Sequence, residues 1–311
     1  MTPAPYFAAV ADGPADGSGF WLTTPDGCKI RVVQWNAKAP KGTVLLLPGR
    51  TEYCEKYGRT AADLAAHGYA TLTIDWRGQG MSNRALPDPL VGHVVDFAEY
   101  QVDLAAMVAH ARMAGLPQPF YMMAHSMGGC IGLRGVMNGC EVKAVAFSGP
   151  MWGLIISAWM RPIASLLGVV SRALSFDDRY APGTNAAIYV TDLPFVGNVL
   201  TTDVEMWDYM RQQALAHPEL SLAGPSFAWA RAALTECHAL GQLPSPAIAA
   251  ICGLGSQERV VYPASVVQRM ASWPGGRLDM YPGAEHEILM ERPATRSRFI
   301  TTATDLFDQN P

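Results

Sequence analysis

The sequence lacks any long run of basic residues, and its 311 residues carry a formal net charge of −4. Nucleic-acid binding usually needs a basic patch or stripe that neutralises phosphates, so the charge pattern argues against that function. The six cysteines are scattered and include no C-x-x-C pair, which excludes the usual zinc-knuckle and redox motifs. We therefore expect reduced, mostly buried thiols, and no metal or organic cofactor.

Long hydrophobic runs are also missing. No stretch of about 18 uninterrupted apolar residues occurs, so we expect no membrane-spanning helix. The N-terminal segment MTPAPYFAAVADGPADGSGF has neither the basic start nor the apolar stretch of a secretory signal, which favours a cytoplasmic location. Residues 1–19 are rich in Ala, Pro, Gly and Asp and are predicted to form a flexible tail.

Strand-like and helix-like patterns alternate along most of the chain. Strand-like apolar runs lie at 43–48, 69–75, 120–124, 142–148, 246–252 and 277–281. This rhythm predicts an α/β fold with a mostly parallel sheet covered by helices on both faces. The rhythm stops after Pro150 and resumes near residue 246, so we predict one core domain over 20–150 and 241–311, with a helical insertion over 151–240.

The segment FYMMAHSMGGC places a serine where a predicted strand becomes a helix. Ser126 is flanked at a distance of two residues by Ala124 and Gly128, which gives A-x-S-x-G in place of the usual G-x-S-x-G nucleophile motif. Small flanking residues permit a sharp turn that exposes the serine oxygen. The alternative is an ordinary serine cap on a Gly-rich helix, but the strand-to-helix context favours a nucleophile.

A nucleophilic serine needs a base, and the base needs a group that orients it. His286 is the predicted base because it follows the last predicted strand, whereas His125 adjoins the serine and should point away from it. Glu258, in the loop after the strand at 246–252, is the predicted acid. Asp279 is the rival but lies inside a predicted strand, and Glu285 and Glu287 are expected to be solvated.

Two backbone N–H groups should bind the oxyanion that forms on the substrate. The N–H of Met127 is predicted to supply one donor, because it follows the serine directly. The N–H of Arg50, in the loop after the strand at 43–48, is predicted to supply the second. The Arg50 side chain could also contact a phosphate.

At this point the sequence resembles the α/β-hydrolase superfamily, and within it the monoacylglycerol lipase and lysophospholipase group of the serine aminopeptidase S33 type. The resemblance rests on LLLPGRTEYCEKYGRTAADLAAHGYATLTIDWRGQGMSNR, GHVVDFAEYQVDL, GSQERVV and GAEHEILMERP. It implies an eight-stranded sheet, with Ser126 as nucleophile, Glu258 as acid and His286 as base. It also implies Arg50 and Met127 as oxyanion donors. The sequence departs from the group at Ala124 for glycine, Pro48 for histidine and Glu258 for aspartate.

In this superfamily an insertion after the sixth strand is a lid, which the resemblance implies for residues 151–240. Trp152, Ile156 and Trp159 lie at helical spacing there and are predicted to line an acyl-chain wall that could also contact a membrane surface transiently. The alternative is that they pack the lid onto the core.

The resemblance implies a serine hydrolase that cleaves carboxylic esters, most plausibly of monoacyl lipids, through an acyl-enzyme. The alternatives are an aminopeptidase of the S33 type, a small-ester esterase, or a non-catalytic binding protein of the same fold. Acidic residues that could hold a peptide amine lie in the insertion, at Asp177, Asp178, Asp192, Asp203 and Glu205. The expected partner is a small-molecule or lipid ester, and the oligomeric state is not predicted.

Overall fold

A nine-stranded sheet forms the centre of the computed structural model, which describes residues 1–155 and 176–311. The strands are β1 Thr2–Ala4, β2 Ser18–Thr23, β3 Lys29–Trp35, β4 Thr43–Leu47, β5 Ala70–Asp75, β6 Phe120–His125, β7 Ala144–Ser148, β8 Ala249–Gly255 and β9 Arg277–Tyr281. Their order across the sheet is β1-β2-β3-β5-β4-β6-β7-β8-β9. The pairs from β1 to β5 are antiparallel, and the pairs from β5 through β4 to β9 are parallel.

Helices cover both faces of this sheet. The described helices are α1 Ala8–Ala11, α2 Gly58–Ala66, α3 Ala98–Met113, α4 Met127–Met137, α5 Tyr189–Asp192, α6 Val204–Ala216, α7 Phe227–Gly241, α8 Pro263–Ala271 and α9 Pro293–Asp308. Leu45 and Leu47 of β4 belong to one hydrophobic cluster with α3, α4 and α7, whereas Val44 and Leu46 belong to another with α2 and α9. Every residue of β4 is therefore buried, as expected for a parallel strand between two helical layers.

The N-terminal segment corrects the prediction of a flexible tail over residues 1–19. β1 pairs with β2 and supplies a ninth strand to the predicted eight. The Tyr6 hydroxyl accepts a hydrogen bond from the Trp35 indole N–H at 2.8 Å, and the Val10 carbonyl accepts one from Gln213 of α6 at 2.8 Å. These contacts join the segment both to the sheet and to α6.

The carboxyl ends of the central strands bring distant parts of the chain to one edge of the sheet. Leu47 at the end of β4 lies opposite Ala124 of β6, and Gly255 at the end of β8 lies opposite Tyr281 of β9. In sheets of this kind ligands bind beyond the carboxyl ends of the strands. The loops that carry the predicted site residues start at these ends.

The described part of the predicted lid contains α5, α6 and α7. α7 contributes Trp229, Ala233 and Leu240 to the same hydrophobic cluster as α3 and α4, so it is packed directly on the core. The predicted site residues Ile156 and Trp159 lie outside the described residues. The assignment of 151–240 as a lid therefore stays a prediction. In residues 1–155 and 176–311, no helix is long and apolar enough to cross a membrane.

Candidate active site

A serine at the junction of a strand and a helix is the first component of the candidate site. β6 ends at His125, Ser126 has φ +49° and ψ −116°, and α4 begins at Met127. A positive φ is strained for serine, and such strain is retained mainly at functional sites. A Cβ at Gly128 would lie 2.1 Å from the carbonyl oxygen of Leu47, so glycine is needed for the helix start to approach β4.

The side chains of three distant segments form one hydrogen-bonded series. The Ser126 hydroxyl lies 2.9 Å from Nε2 of His286, and Nδ1 of His286 lies 2.7 Å from Oε2 of Glu258. The other oxygen of Glu258 accepts the backbone N–H groups of Val260 at 2.7 Å and Val261 at 3.0 Å. The structure therefore brings the predicted nucleophile, base and acid together.

The Glu258 carboxylate is held in its charged form. Burial opposes its ionisation, but hydrogen bonds from His286 and from the two backbone N–H groups outweigh that effect and lower the pKa of Glu258. A charged carboxylate on Nδ1 fixes the imidazole tautomer that leaves Nε2 free to accept the serine proton. The rival Asp279 instead pairs with Arg277 at 3.0 Å.

The loop after β4 lies directly beside the serine. A Cβ at Gly49 would lie 3.1 Å from Cβ of Ser126, so the next residue, Arg50, follows a point of close approach. The N–H groups of Arg50 and Met127 donate to no acceptor among residues 1–155 and 176–311. Both predicted oxyanion donors therefore have unused N–H groups next to the serine.

A buried cluster of charged side chains lies next to this loop. It consists of Glu52, Lys56 and Glu287, and we call it the ionic cluster. The Lys56 ammonium lies 2.7 Å from a carboxylate oxygen of each glutamate. Glu52 also accepts the Gly49 N–H and, at 2.5 Å, the Tyr57 hydroxyl. The cluster thus joins the loop after β4 to the residue that follows His286.

The ionic cluster corrects the expectation that Glu287 is solvated, because its exposed fraction is 5%. Burial raises the pKa of Glu287, and the Lys56 charge offsets this only in part. For Glu52, burial also opposes ionisation, but the Lys56 charge dominates and lowers its pKa. Glu52 and Glu287 could hold a metal ion together with His125, but the Lys56 ammonium already bonds to both carboxylates.

His125 is placed as the sequence predicts, next to Ser126 but not bonded to it. Its Nδ1 lies 2.9 Å from the Ser148 carbonyl oxygen, and its ring centroid lies 4.8 Å from that of His286. Burial lowers the pKa of His125 to about 4. The ring is therefore neutral at neutral pH and adds no charge beside the base.

Replacing Lys56 with methionine should lower the free energy of unfolding by about 3–5 kcal/mol at neutral pH, because two buried carboxylates lose their cation. Both carboxyl pKa values should then lie above their unfolded values, so the stabilisation lost at neutral pH should partly return as the pH falls toward about 5.5. Urea denaturation of both proteins at two pH values measures this effect.

Lys41→Met is the matched control. Lys41 pairs with Asp308 at 2.7 Å, but both side chains are more than 40% exposed. An exposed pair of this kind contributes about 1 kcal/mol or less. A similar loss in the two variants, or a loss for Lys56→Met that does not change with pH, would contradict the role given to the buried ammonium.

A cavity of about 50 Å³ lies between the loop after β4 and side chains of residues 188–222. Its wall is mixed: Ile188, Val190 and Leu200 are apolar, whereas Lys56 and Glu287 belong to the ionic cluster. Thr51 also lines it, one residue after the predicted oxyanion donor. The cavity therefore adjoins the loop that carries a predicted oxyanion donor, and apolar side chains form part of its wall.

The structure places the predicted substrate-contact residue Trp152 in the core. Its exposed fraction is 4%, and its indole N–H donates to the Gly129 carbonyl at 3.1 Å. Its ring stacks on Trp273, with centroids 6.1 Å apart. These contacts agree with the alternative that Trp152 packs against the core. Trp152 is therefore not part of the proposed substrate site.

Sequence reasoning missed the ionic cluster. Glu52 and Lys56 have the i, i+4 spacing of a helical ion pair, which was an available signal. No local signal connects them to Glu287, which is 231 residues from Lys56 in sequence.

The fold and the relatives place the protein among the ester-hydrolysing lipases and esterases of the α/β-hydrolase superfamily. The fold matches a soluble variant of monoglyceride lipase from Saccharomyces cerevisiae, solved with a substrate analog, with a TM-score of 0.72. That match covers 99% of this chain and 100% of the other, at 20% identity. A carboxyl esterase from Bacillus coagulans matches with a TM-score of 0.72 over 94% of this chain and 98% of the other, at 15% identity.

The family follows from sequence comparison. A family model described as serine aminopeptidase, S33, matches residues 38–293, and the chain belongs to this family. It is 32% identical to lysophospholipase L2 of Escherichia coli strain K12, over 98% of this chain and 93% of that protein. It is 26% identical to a probable lysophospholipase L2 of Haemophilus influenzae, over 83% of this chain and 81% of that protein. The predicted resemblance is confirmed.

Proposed function

We propose that this ester hydrolase uses Ser126, His286 and Glu258 as a catalytic triad. Ser126 Oγ attacks the ester carbonyl and passes its proton to Nε2 of His286. The N–H groups of Arg50 and Met127 stabilise the oxyanion. The imidazolium then protonates the departing alcohol, which leaves an acyl-enzyme, and a water molecule activated by His286 releases the acid.

One observation carries this mechanism: a single imidazole bonds to both the strained serine and a buried carboxylate, at 2.9 and 2.7 Å. Those distances meet the requirement that a base lie within hydrogen-bond reach of the proton it takes. Glutamate replaces the commoner aspartate, and the two backbone N–H bonds to Glu258 fix the position of its longer side chain.

We propose that the substrate is an ester of a monoacyl lipid. The names of the relatives support this class, because they are lysophospholipases L2 and a monoglyceride lipase. The cavity next to Thr51 has apolar side chains in part of its wall, which supports an apolar part of the substrate on this side of the loop after β4. Within this proposal residues 151–240 act as a lid that encloses the substrate.

Exposed apolar residues near the candidate site support transient contact of the lid region with a lipid surface. Ile155 and Val196 of the proposed lid have exposed fractions of 52% and 85%, and Tyr262, which lies in the core domain, has 45%. Backbone contacts connect their segments to the site, because Tyr262 N–H donates to the Gly153 carbonyl and His286 N–H donates to the Val199 carbonyl. An enzyme that takes a lipid from a membrane needs such a surface.

A substrate panel tests the proposed class. We expect the wild-type protein to hydrolyse long-chain monoacylglycerols and lysophospholipids faster than p-nitrophenyl acetate, and to leave aminoacyl amides intact. The measurement is kcat/KM for each substrate below its micelle concentration. Turnover of amides without turnover of esters would move the assignment to an aminopeptidase.

The structure gives the aminopeptidase alternative little support. Most of the acidic residues proposed to hold a peptide amine already have partners. Asp177 pairs with Arg231, Asp192 accepts the Ile188 N–H, and Asp203 caps α6. Those carboxylates are engaged within the fold.

A further inference from the structure

The Arg50 side chain has few hydrogen-bond acceptors and no carboxylate partner among the described residues. Its Nη2 donates to the Ala223 carbonyl, and its guanidinium lies 5.1 Å from the centroid of the Trp229 ring. Its Nε is buried without an acceptor, and no carboxylate among residues 1–155 and 176–311 pairs with it. Burial lowers the pKa of Arg50 to about 10, because no nearby acid offsets the loss of water.

Three other arginines, of which Arg31 and Arg269 are buried and Arg84 is half-buried, have more hydrogen-bond acceptors than Arg50. Arg31 pairs with two carboxylates, at 2.6 and 2.7 Å. Arg84 and Arg269 pair with no acid, but each donates to several carbonyl or hydroxyl oxygens. Within residues 1–155 and 176–311, the Arg50 side chain donates to a single carbonyl. A half-buried charge whose Nε is fully buried and has no acceptor is costly, so a ligand that supplies acceptors would bind favourably.

The position of Arg50 links this unmatched charge to the candidate site. Its backbone N–H is a proposed oxyanion donor, and a Cβ at the preceding Gly49 would lie only 3.1 Å from Cβ of Ser126. The side chain extends from there toward Gly92, where a Cβ would lie only 2.7 Å from Nη2. Glycine at 92 therefore leaves room for the guanidinium between the loop after β4 and the start of α7.

We propose that the Arg50 guanidinium binds the phosphate group of the substrate and so makes the site prefer phosphate-bearing monoacyl lipids over neutral monoacylglycerols. The inference rests on the proposed function and specifies its substrate class. In a lysophospholipid the glycerol backbone separates the ester from the phosphate by only a few bonds. One residue can therefore bind the oxyanion through its backbone and the phosphate through its side chain.

The chemistry of the two groups is complementary. Guanidinium is a planar donor that binds phosphate oxygens through charge-assisted hydrogen bonds. A monoacylglycerol offers only hydroxyl groups at the same position, and these do not neutralise the charge. The shared ligand chemistry is a phosphate ester, as a monoester in lysophosphatidate or as a diester in lysophosphatidylcholine.

The test compares lysophosphatidylcholine, lysophosphatidate and monoacylglycerol with the same acyl chain, in wild type, Arg50→Gln and Arg50→Lys. The readout is the ratio of kcat/KM for each phosphate lipid to kcat/KM for the neutral lipid. Loss of a charged hydrogen bond should lower this ratio about 10- to 100-fold in Arg50→Gln. Arg50→Lys should retain part of the preference. The difference between the two phosphate lipids distinguishes monoester from diester recognition.

Arg112→Gln is the control, because Arg112 forms an exposed pair with Glu141 at 2.5 Å on the surface of α3. It should leave the ratio unchanged. Direct binding of sn-glycero-3-phosphocholine to the Ser126→Ala protein, measured by calorimetry, should weaken at least 10-fold when Arg50→Gln is added. This binding measurement does not depend on turnover.

Two results would overturn the inference. An equal loss for neutral and phosphate-bearing lipids would show that the side chain supports the loop and not the phosphate, and an unchanged ratio would show that it makes no substrate contact. Circular dichroism of each variant establishes that it is folded. If Arg50→Gln does not fold, the comparison of Arg50→Lys with the wild type still tests the inference. A wild-type protein that cleaves no monoacyl ester would instead refute the proposed function.

Discussion

Ser126→Ala is expected to lower kcat for ester hydrolysis by about 10⁶-fold, the loss measured for the nucleophile of a well-studied serine protease. In the proposed mechanism alanine lacks the oxygen that would form the acyl-enzyme, while the proposed oxyanion donors remain. The substitution deletes one atom from a side chain that is almost fully buried, so the fold should persist. The measurement is kcat on a chromogenic ester, with the protein purified away from other esterases.

Ser272→Ala is the control for this prediction. Its hydroxyl donates to the Arg269 carbonyl at 3.0 Å, at the end of α8. Its activity should equal that of the wild type. If Ser126→Ala kept activity within about tenfold of wild type, far above the residual rate expected from the oxyanion donors alone, Ser126 would not be the nucleophile.

Glu258→Gln is expected to lower kcat by about 10³- to 10⁴-fold, as the loss of the triad acid does in serine proteases. The amide has nearly the same shape but carries no charge, so it no longer stabilises the imidazolium of His286. It can also present its NH₂ group to Nδ1 and stabilise the wrong tautomer. KM should change little, because Glu258 touches the base and not the substrate.

Asp279→Asn is the matched control, because Asp279 was the competing candidate for the acid. Its carboxylate pairs with Arg277 at the outer strand β9, so the change should reduce kcat less than about threefold. A large loss in Asp279→Asn together with a small loss in Glu258→Gln would reverse the assignment of the acid.

The parts of the site that the sequence predicts are those with a local signal. Ser126 lies in a short motif between a strand-like and a helix-like pattern, and both patterns were read from hydrophobic periodicity. Glu258 and His286 each follow a strand, so their meeting at one sheet edge follows from the parallel topology. The imidazole contacts at 2.9 and 2.7 Å agree with that expectation.

The parts that the sequence does not predict depend on contacts between distant residues. The first residues have the composition of a flexible tail, yet β1 gains its partner from β2, and Phe7 stacks on His217 at 3.6 Å between ring centroids. Charged residues such as Lys56 and Glu287 usually lie at the surface. Only the folded chain shows that these two neutralise each other in the interior.

Mass spectrometry of the protein after reaction with a fluorophosphonate tests the central claim most directly. The probe forms a covalent bond with a serine that is activated as a nucleophile. We predict one adduct per chain, at Ser126, and a much slower reaction in His286→Ala, which lacks the base. An adduct on another residue, or no adduct on folded protein that hydrolyses esters, would contradict the proposed triad.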